Sequence, residues 1–240
     1  MPLVEFRDVV YEIAGKRILC GVNFAVDAGE TLVLLGRSGS GKSTALKLTN
    51  GTLTPTSGAV LVDGKLTTDW DPIALKRHIG YVIQEVGLFP HFTVAQNVGL
   101  IPKLEGRSQE EIERRSRDVM DSVGMPLSEF RSRYPRELSG GQRQRVGVAR
   151  ALAADPPLLL FDEPFGALDP ITRSDLQQQF LGWQKDLRKT AIFVTHDVRE
   201  ALRLGSRIAL LVHGRVELLT SVKEFASAES LEARAFLASL

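Results

Sequence analysis

The spacing of apolar and polar residues changes several times along this chain, and each change marks an element. Residues 3 to 13 alternate in the manner of a half-buried strand, and Val22 to Val26 reads as a short second strand before the turn Asp27-Ala-Gly-Glu30. Thr31-Leu-Val-Leu-Leu35 lacks that alternation, which predicts a strand covered on both faces. It runs into Gly36, and a helix is predicted from Lys42 to about Asn50, with Gly51 as its stop. Ser57 to Val62 reads as a strand closed by the Asp63-Gly64 turn, and Ile79 to Ile83 as another.

From about Gln84 to Ala154 the pattern becomes helical, with proline-marked turns and much of the arginine. This predicts a helical insertion over residues 85–154, leaving 1–84 and 155–240 as the core. Ser108 and Glu111 form a capping-box pair for a helix carrying Ile112, Val119 and Val123. Arg114, Arg115 and Arg117 on that helix are expected to make a solvated face. Strand and helix then alternate again: Leu158 to Phe161 strand, Ile171 to Leu187 helix, Ala191 to Thr195 strand, Val198 to Leu204 helix, Ile208 to Val212 strand. Such alternation predicts a parallel sheet in an α/β core. The tail from Leu231 to Leu240 reads as a short helix.

Composition narrows the function classes. With 25% charged and 43% hydrophobic residues the chain is an ordinary globular one, and 240 residues fit one domain with an insertion. The net charge of +1 gives no overall footprint for nucleic acid. Apolar runs such as Ile208-Ala-Leu-Leu-Val212 fall far short of the roughly 20 residues of a membrane-spanning helix. No secretory signal pattern is present at the start, and the single cysteine, Cys20, rules out an internal disulfide, so a cytosolic location is expected.

Gly36-Arg-Ser-Gly-Ser-Gly-Lys-Ser43 matches G-x-x-x-x-G-K-[ST] and lies between a predicted strand and a predicted helix, the context a phosphate-binding loop requires. Gly39 and Gly41 let the backbone curl so that N–H groups point at phosphate oxygens, and the helix N-terminus adds its positive end. Lys42 would neutralise phosphate charge and Ser43 would hold Mg²⁺. Leu158-Leu-Leu-Phe-Asp-Glu163 supplies an apolar strand that presents Asp162 to Mg²⁺, and Glu163 is the candidate to polarise the attacking water. His196 stands at another strand end, within reach of a γ-phosphate. Gln84 ends the strand before the insertion and can connect the nucleotide to whatever the insertion touches. Tyr11 is an aromatic for stacking on a base, with an ordinary strand residue as the equal alternative. His78, His91 and His213 have no metal spacing.

The stretch Glu137-Leu-Ser-Gly-Gly-Gln-Arg-Gln-Arg145 opens a second glycine-rich helix start, capped by Ser139 and Gln142 and bare of side chains at Gly140 and Gly141. With these motifs in this order, the chain resembles the nucleotide-binding subunit of ATP-binding cassette (ABC) transporters from Tyr11 through His196. In that family Leu138, Ser139, Gly140, Gly141 and Gln142 form the signature motif. Gly36, Arg37, Ser38, Gly39, Ser40, Gly41, Lys42, Ser43 and Thr44 form the Walker A loop, and Asp162 with Glu163 ends Walker B. Gln84 is the Q-loop glutamine, Gly166-Ala-Leu-Asp169 the D-loop and His196 the switch histidine. The resemblance implies ATP hydrolysis with Glu163, His196 and Gln84 as catalytic residues and Ser43, Gln84 and Asp162 around Mg²⁺. It also implies a P-loop NTPase core with a mostly parallel sheet, an N-terminal antiparallel β region and an inserted helical subdomain.

Two such subunits of the family sandwich two ATP molecules, each held by one Walker A loop and the other subunit's signature. The implied partners are therefore a second copy, transmembrane permease subunits and a solute-binding protein, with the subunit peripheral on the cytoplasmic side of the membrane. Gly80 through Val94 with Asn97 and Pro102-Lys-Leu104, and Asp162 through Arg173, look like importers of glycine betaine, choline or carnitine. Importers or exporters of other solutes or lipids share the motor. A soluble ATPase acting on nucleic acid or ribosomes is the alternative class, for which Arg131, Arg133, Arg136, Arg143, Arg145 and Arg150 are the candidate basic patch. The sequence ends at Leu240 without the pair of CBS regulatory domains some relatives carry, so ionic-strength sensing is not expected of it. Permease docking is expected near Val86 to Asn97.

Overall fold

The elements run β1 (Val4–Ile13), β2 (Lys16–Val26), β3 (Thr31–Leu35), α1 (Lys42–Thr49), β4 (Ser57–Val62), β5 (Lys65–Leu66), α2 (Pro72–His78), β6 (Ile79–Val82), α3 (Val94–Val98), α4 (Leu100–Leu104), α5 (Gln109–Ser122), α6 (Leu127–Phe130), α7 (Gly140–Ala153), β7 (Leu158–Asp162), α8 (Pro170–Leu187), β8 (Thr190–Thr195), α9 (Val198–Leu204), β9 (Arg207–Val212), β10 (Arg215–Ser221), α10 (Val222–Phe225) and α11 (Leu231–Leu237). They come from a computed structural model that describes residues 1–84, 87–166, 168–187 and 189–240, with backbone alone over 183–187. The chain divides into two compact units, Met1–Lys76 with Arg188–Leu240, and Arg77–Leu187. The second unit takes in β6, β7 and α8 besides helices α3 to α7.

In the first unit β3 is buried along its whole length because both of its neighbours are parallel strands, β8 and β9. Each of its four apolar side chains contributes about 1.5–3 kcal/mol by burial. β9 turns through His213-Gly214, with φ of 47° and 75°, into the antiparallel β10. β1, β2, β4 and β5 make a separate antiparallel sheet in the order β2-β1-β4-β5. Two departures from the sequence expectation share one cause. β2 begins at Lys16 rather than Val22, and β10 was not expected at all. In β2 an extra residue, Gly21 with φ 75°, lies between partners Cys20 and Val22, and in β10 the register shifts between Val216 and Leu218. A bulge moves side chains to the other face and breaks the period of two on which the reading depends.

In the second unit β6 runs parallel to β7, and α7 packs on α3, α5 and β6. Thr93, Ser108 and Ser139 each close a capping box with Gln96, Glu111 and Gln142, so the boxes expected at Ser108 and Ser139 are present. The Ser108 backbone N–H and hydroxyl hold the Glu111 carboxyl below its usual range. The arginine face of α5 is only partly solvated: Arg115 donates to Leu152 O and Ala153 O and pairs with Asp155, closing the C-terminal end of α7.

Asn97, fully buried, holds the loop before α3. Its Oδ1 accepts from Phe89 N–H at 2.8 Å, and its amide lies 3.0–3.2 Å from the carbonyls of Phe89, Phe92 and Thr93. Replacing it by alanine leaves buried backbone groups without that partner, each costing about 1–3 kcal/mol. Asn97→Ala is accordingly expected to lower stability by about 2–4 kcal/mol, read as a shift of the urea midpoint at unchanged slope.

Candidate functional site

The phosphate loop is built on the end of β3. Gly41 precedes α1 with φ 105°, and a Cβ there would lie 2.5 Å from Leu19 Cδ2 and 3.1 Å from Ile18 O. Glycine is required on both counts. At Gly36 a Cβ would stand 2.4 Å from Leu211 O and 2.6 Å from Ser40 Oγ. Lys42, almost wholly buried, donates from Nζ to Gly36 O at 2.7 Å and Arg37 O at 2.9 Å. Ser40 Oγ is buried without a hydrogen-bond partner. A closed cradle of glycine backbone, an ammonium group and an unsatisfied hydroxyl fits a phosphate group. Ser38 and Gly39 are exposed, and Ser43 and Thr44 are half-buried in the first turn of α1. Arg37 points its exposed guanidinium to Glu232 of α11, whose carboxylate raises the arginine pKa.

Parallel register brings His196 to the same edge. Leu35 pairs with Thr195, so Gly36 and His196 leave adjacent strands side by side, at the carboxyl ends where α/β sheets bind ligands. His196 is exposed. Tyr11 is half-buried on β1 opposite Leu19, the residue against which Gly41 packs.

Likewise, in the second unit Val82 pairs with Phe161, so Gln84 and Asp162 emerge at one edge. Asp162 Oδ2 accepts a 3.2 Å bond from the Tyr81 hydroxyl. Burial, reinforced by the Asp162 charge, pushes the Tyr81 phenol well above its ordinary range and keeps it a donor. Tyr81 was not singled out from sequence, because only strand pairing brings it to Asp162. Glu163 has φ 46°, a left-handed conformation that a non-glycine residue adopts at a cost of about 1–3 kcal/mol and that concentrates at functional sites. A Cβ on Gly166 would lie 3.9 Å from Gln84 Nε2 and 4.0 Å from Glu163 Oε2, so these two candidates share one neighbourhood.

The signature residues open α7. Ser139 Oγ accepts from Gln142 N–H at 3.2 Å, Gln142 Oε1 accepts from Ser139 N–H at 2.9 Å, and Arg143 donates to Leu138 O. Gly140 has open space, with only Arg143 Nη2 at 4.0 Å from a Cβ, as a helix start left clear for a ligand would have. Gly141 differs: a Cβ there would stand 2.4 Å from Thr172 Cγ2 on α8. That second glycine is needed for close packing as well. Asp169 accepts from Thr172 N–H at 3.0 Å, which holds its carboxyl below the usual range, so it also caps α8. Ala167 of the D-loop and Val86 of the expected docking surface lie outside the described residues.

The candidate basic patch is engaged internally. Arg131 pairs with Glu113, Arg133 and Arg136 lie over the rings of Phe130 and Tyr134, and Arg143, Arg145 and Arg150 donate to the carbonyls of Leu138, Val123 and Gly87. Burial lowers the Arg150 pKa. Arg143, Arg145 and Arg150 thus serve structural tasks, while Arg131, Arg133 and Arg136 remain exposed. No helix among the described residues is long and apolar enough to cross a membrane.

Comparison with known proteins places this geometry in a family. The family model described as ABC transporter matches residues 19–166. The osmoprotectant import ATP-binding protein OsmV of Salmonella typhimurium is 50% identical over 203 residues, covering 85% of this chain and 53% of that protein. The choline transport ATP-binding protein OpuBA of Bacillus subtilis is 50% identical over 202 residues, 84% of this chain and 53% of that protein. The chain thus spans about half the length of these curated relatives. An ATP-binding cassette solved as a dimer in a post-hydrolysis state with ADP and Pi superposes with TM-score 0.81 at 35% identity, over 91% of this chain and 98% of that one. That family model matches more than half of the chain, and the glycine loop, the acidic strand end and the capped helix start all lie inside the matched stretch; the chain belongs to the ABC transporter family.

Proposed function

We propose that this chain is the ATP-hydrolysing subunit of an importer for osmoprotectants such as glycine betaine, choline or carnitine. The observation that carries the reading is the phosphate cradle on β3, with Lys42 aimed into it and the Ser40 hydroxyl buried without a partner. The half-length identity to osmoprotectant and choline import proteins supports the solute class.

In this reading Gly36 to Thr44 hold the ATP phosphates, with Tyr11 at the base. Bound Mg²⁺ would neutralise charge on the phosphates. Ser43, Gln84 and Asp162 would hold it, through a hydroxyl, an amide and a carboxylate oxygen, the hard oxygen donors that magnesium takes. Tyr81 holds Asp162 in place, Glu163 accepts the proton of the attacking water, and His196 contacts the γ-phosphate. Leu138 to Gln142, on the inserted subdomain 85–154, serve the nucleotide of a second copy, with Asp169 beside them. Donors supplied across a dimer make hydrolysis depend on closure. Turnover by the purified chain is therefore expected to rise faster than linearly with protein concentration; strict proportionality would remove the shared site.

The permease would dock on the second unit, where Phe92, Ala95, Gly99, Leu100 and Ile112 line a groove of about 360 Å³ beside the partly exposed Phe89. In this reading the subunit lies peripherally on the cytoplasmic face of the membrane, in a system with a solute-binding protein. Isolated gently from its native membrane, the chain is expected with a membrane-spanning partner. Recovery on ribosomes or nucleic acid instead would favour the soluble class, which the engaged arginines disfavour.

A further inference from the structure

Next to His196 the chain buries a carboxylate to which the reading above gives no task. Glu200, on α9, is 5% exposed and accepts a 2.6 Å hydrogen bond from Thr195 Oγ1. The same hydroxyl accepts from Asp197 N–H at 3.0 Å. Asp197 caps α9 by accepting from Arg199 N–H at 2.8 Å. Thr195 itself is buried and held in β8 opposite Leu35. The residues on either side of His196 are thus joined through one hydroxyl, while the histidine between them is exposed.

A hydroxyl has one proton to give. Committed to Glu200, that proton fixes the rotation of the Thr195 hydroxyl with its lone pairs toward the Asp197 N–H, so the carboxylate orients the acceptor of the bond that closes the turn. Burying a carboxylate is costly unless it is hydrogen-bonded, and a structural need for α9 alone would be met by an apolar residue at this site. We propose that Thr195 and Glu200 are positioning residues for His196: the Thr195–Glu200 hydrogen bond locks the turn 195–197, so that the imidazole leaves the end of β8 in a single orientation. The inference rests on the reading of His196 as a contact to the γ-phosphate, and extends it to two side chains that do not touch the nucleotide.

The experiment measures kcat, KM and the dissociation constant for ATP in the full chain, at one fixed protein concentration, for Thr195→Val, Thr195→Ser, Glu200→Gln, His196→Ala and the double variant Thr195→Val/His196→Ala. Valine keeps the volume and deletes the hydroxyl. It is expected to lower kcat roughly 10- to 100-fold, the scale of a misplaced catalytic contact, with the dissociation constant and thermal midpoint little changed. Serine restores the hydroxyl and should restore turnover. Gln keeps an acceptor oxygen for Thr195, so Glu200→Gln should fall between the parent and the valine variant. In the His196→Ala background the valine substitution should have no further effect. Parental turnover by Thr195→Val, or an equal loss on top of His196→Ala, would overturn the proposal while leaving the role of His196 standing. Normal turnover by His196→Ala would remove that role itself, and the positioning with it.

Discussion

Glu163→Gln is expected to bind ATP as the parent does and to hydrolyse it about 100- to 10,000-fold more slowly, the range over which a positioned general base acts. The substitution is near-isosteric, so it isolates basicity from shape. That matters here because Glu163 has a left-handed backbone, φ 46°, directly after the last residue of β7. Glutamine faces the same backbone cost as glutamate, whereas glycine would relieve it and change the loop. The strain is one reason to expect the carboxylate to be aimed rather than free. A second is its shared neighbourhood with Gln84 around Gly166. Single-turnover hydrolysis alongside equilibrium ATP binding checks the expectation. A variant that binds and turns over within a few-fold of the parent would take the base role from Glu163. With the γ-phosphate retained, the variant should also accumulate as an ATP-dependent dimer, visible by light scattering.

Lys42→Ala should act at the earlier step. A charge-assisted hydrogen bond to an anion is worth about 1.5–3 kcal/mol, so ATP affinity should fall by roughly 10- to 150-fold. Turnover should fall further, because charge on the transferred group is stabilised most in the transition state. Lys42 Nζ already donates to Gly36 O and Arg37 O. The ammonium is thereby held over the loop before phosphate arrives, so little side-chain entropy is lost on binding. Removing it also takes a donor from two loop carbonyls, and a modest fall in thermal midpoint should accompany the loss of affinity. Unchanged ATP binding by a folded Lys42→Ala chain would count against the phosphate cradle as the nucleotide site.

Much of the candidate site was legible because its chemistry is local in sequence. A strand, a glycine loop and a helix start lie within Thr31 to Asn50, and a capping box spans four residues from Ser139 to Gln142. The arginines show the opposite case. Arg115 reads as part of a solvated helix face, yet its guanidinium closes the end of a helix some forty residues away. The six arginines of the candidate basic patch are likewise occupied by partners that charge counting does not reveal. Gly141 looked like a residue left bare for a ligand, and it also lets α7 approach Thr172. β10 and the first half of β2 were lost to single-residue bulges, since one extra residue inverts the alternation on which strand reading depends.

Sequence alone determined the family of this protein and marked out the candidate phosphate loop and its lysine, the acidic strand end, the capped helix start and the alternation of an α/β core. These depend on interactions within a few residues or on a period of the chain, and so are written in order along it. Tertiary structure alone decided that Tyr81 holds Asp162, that Glu163 is held left-handed, that Asn97 fastens the loop before α3, and that Glu200 reaches Thr195 beside His196. The bonds of Asn97 and Glu200 depend on burial, that of Tyr81 on strand pairing, and the turn at Glu163 on a backbone angle that no residue pattern announces. A hydrogen bond between residues far apart is favoured only after the fold has removed the water that would otherwise compete for it.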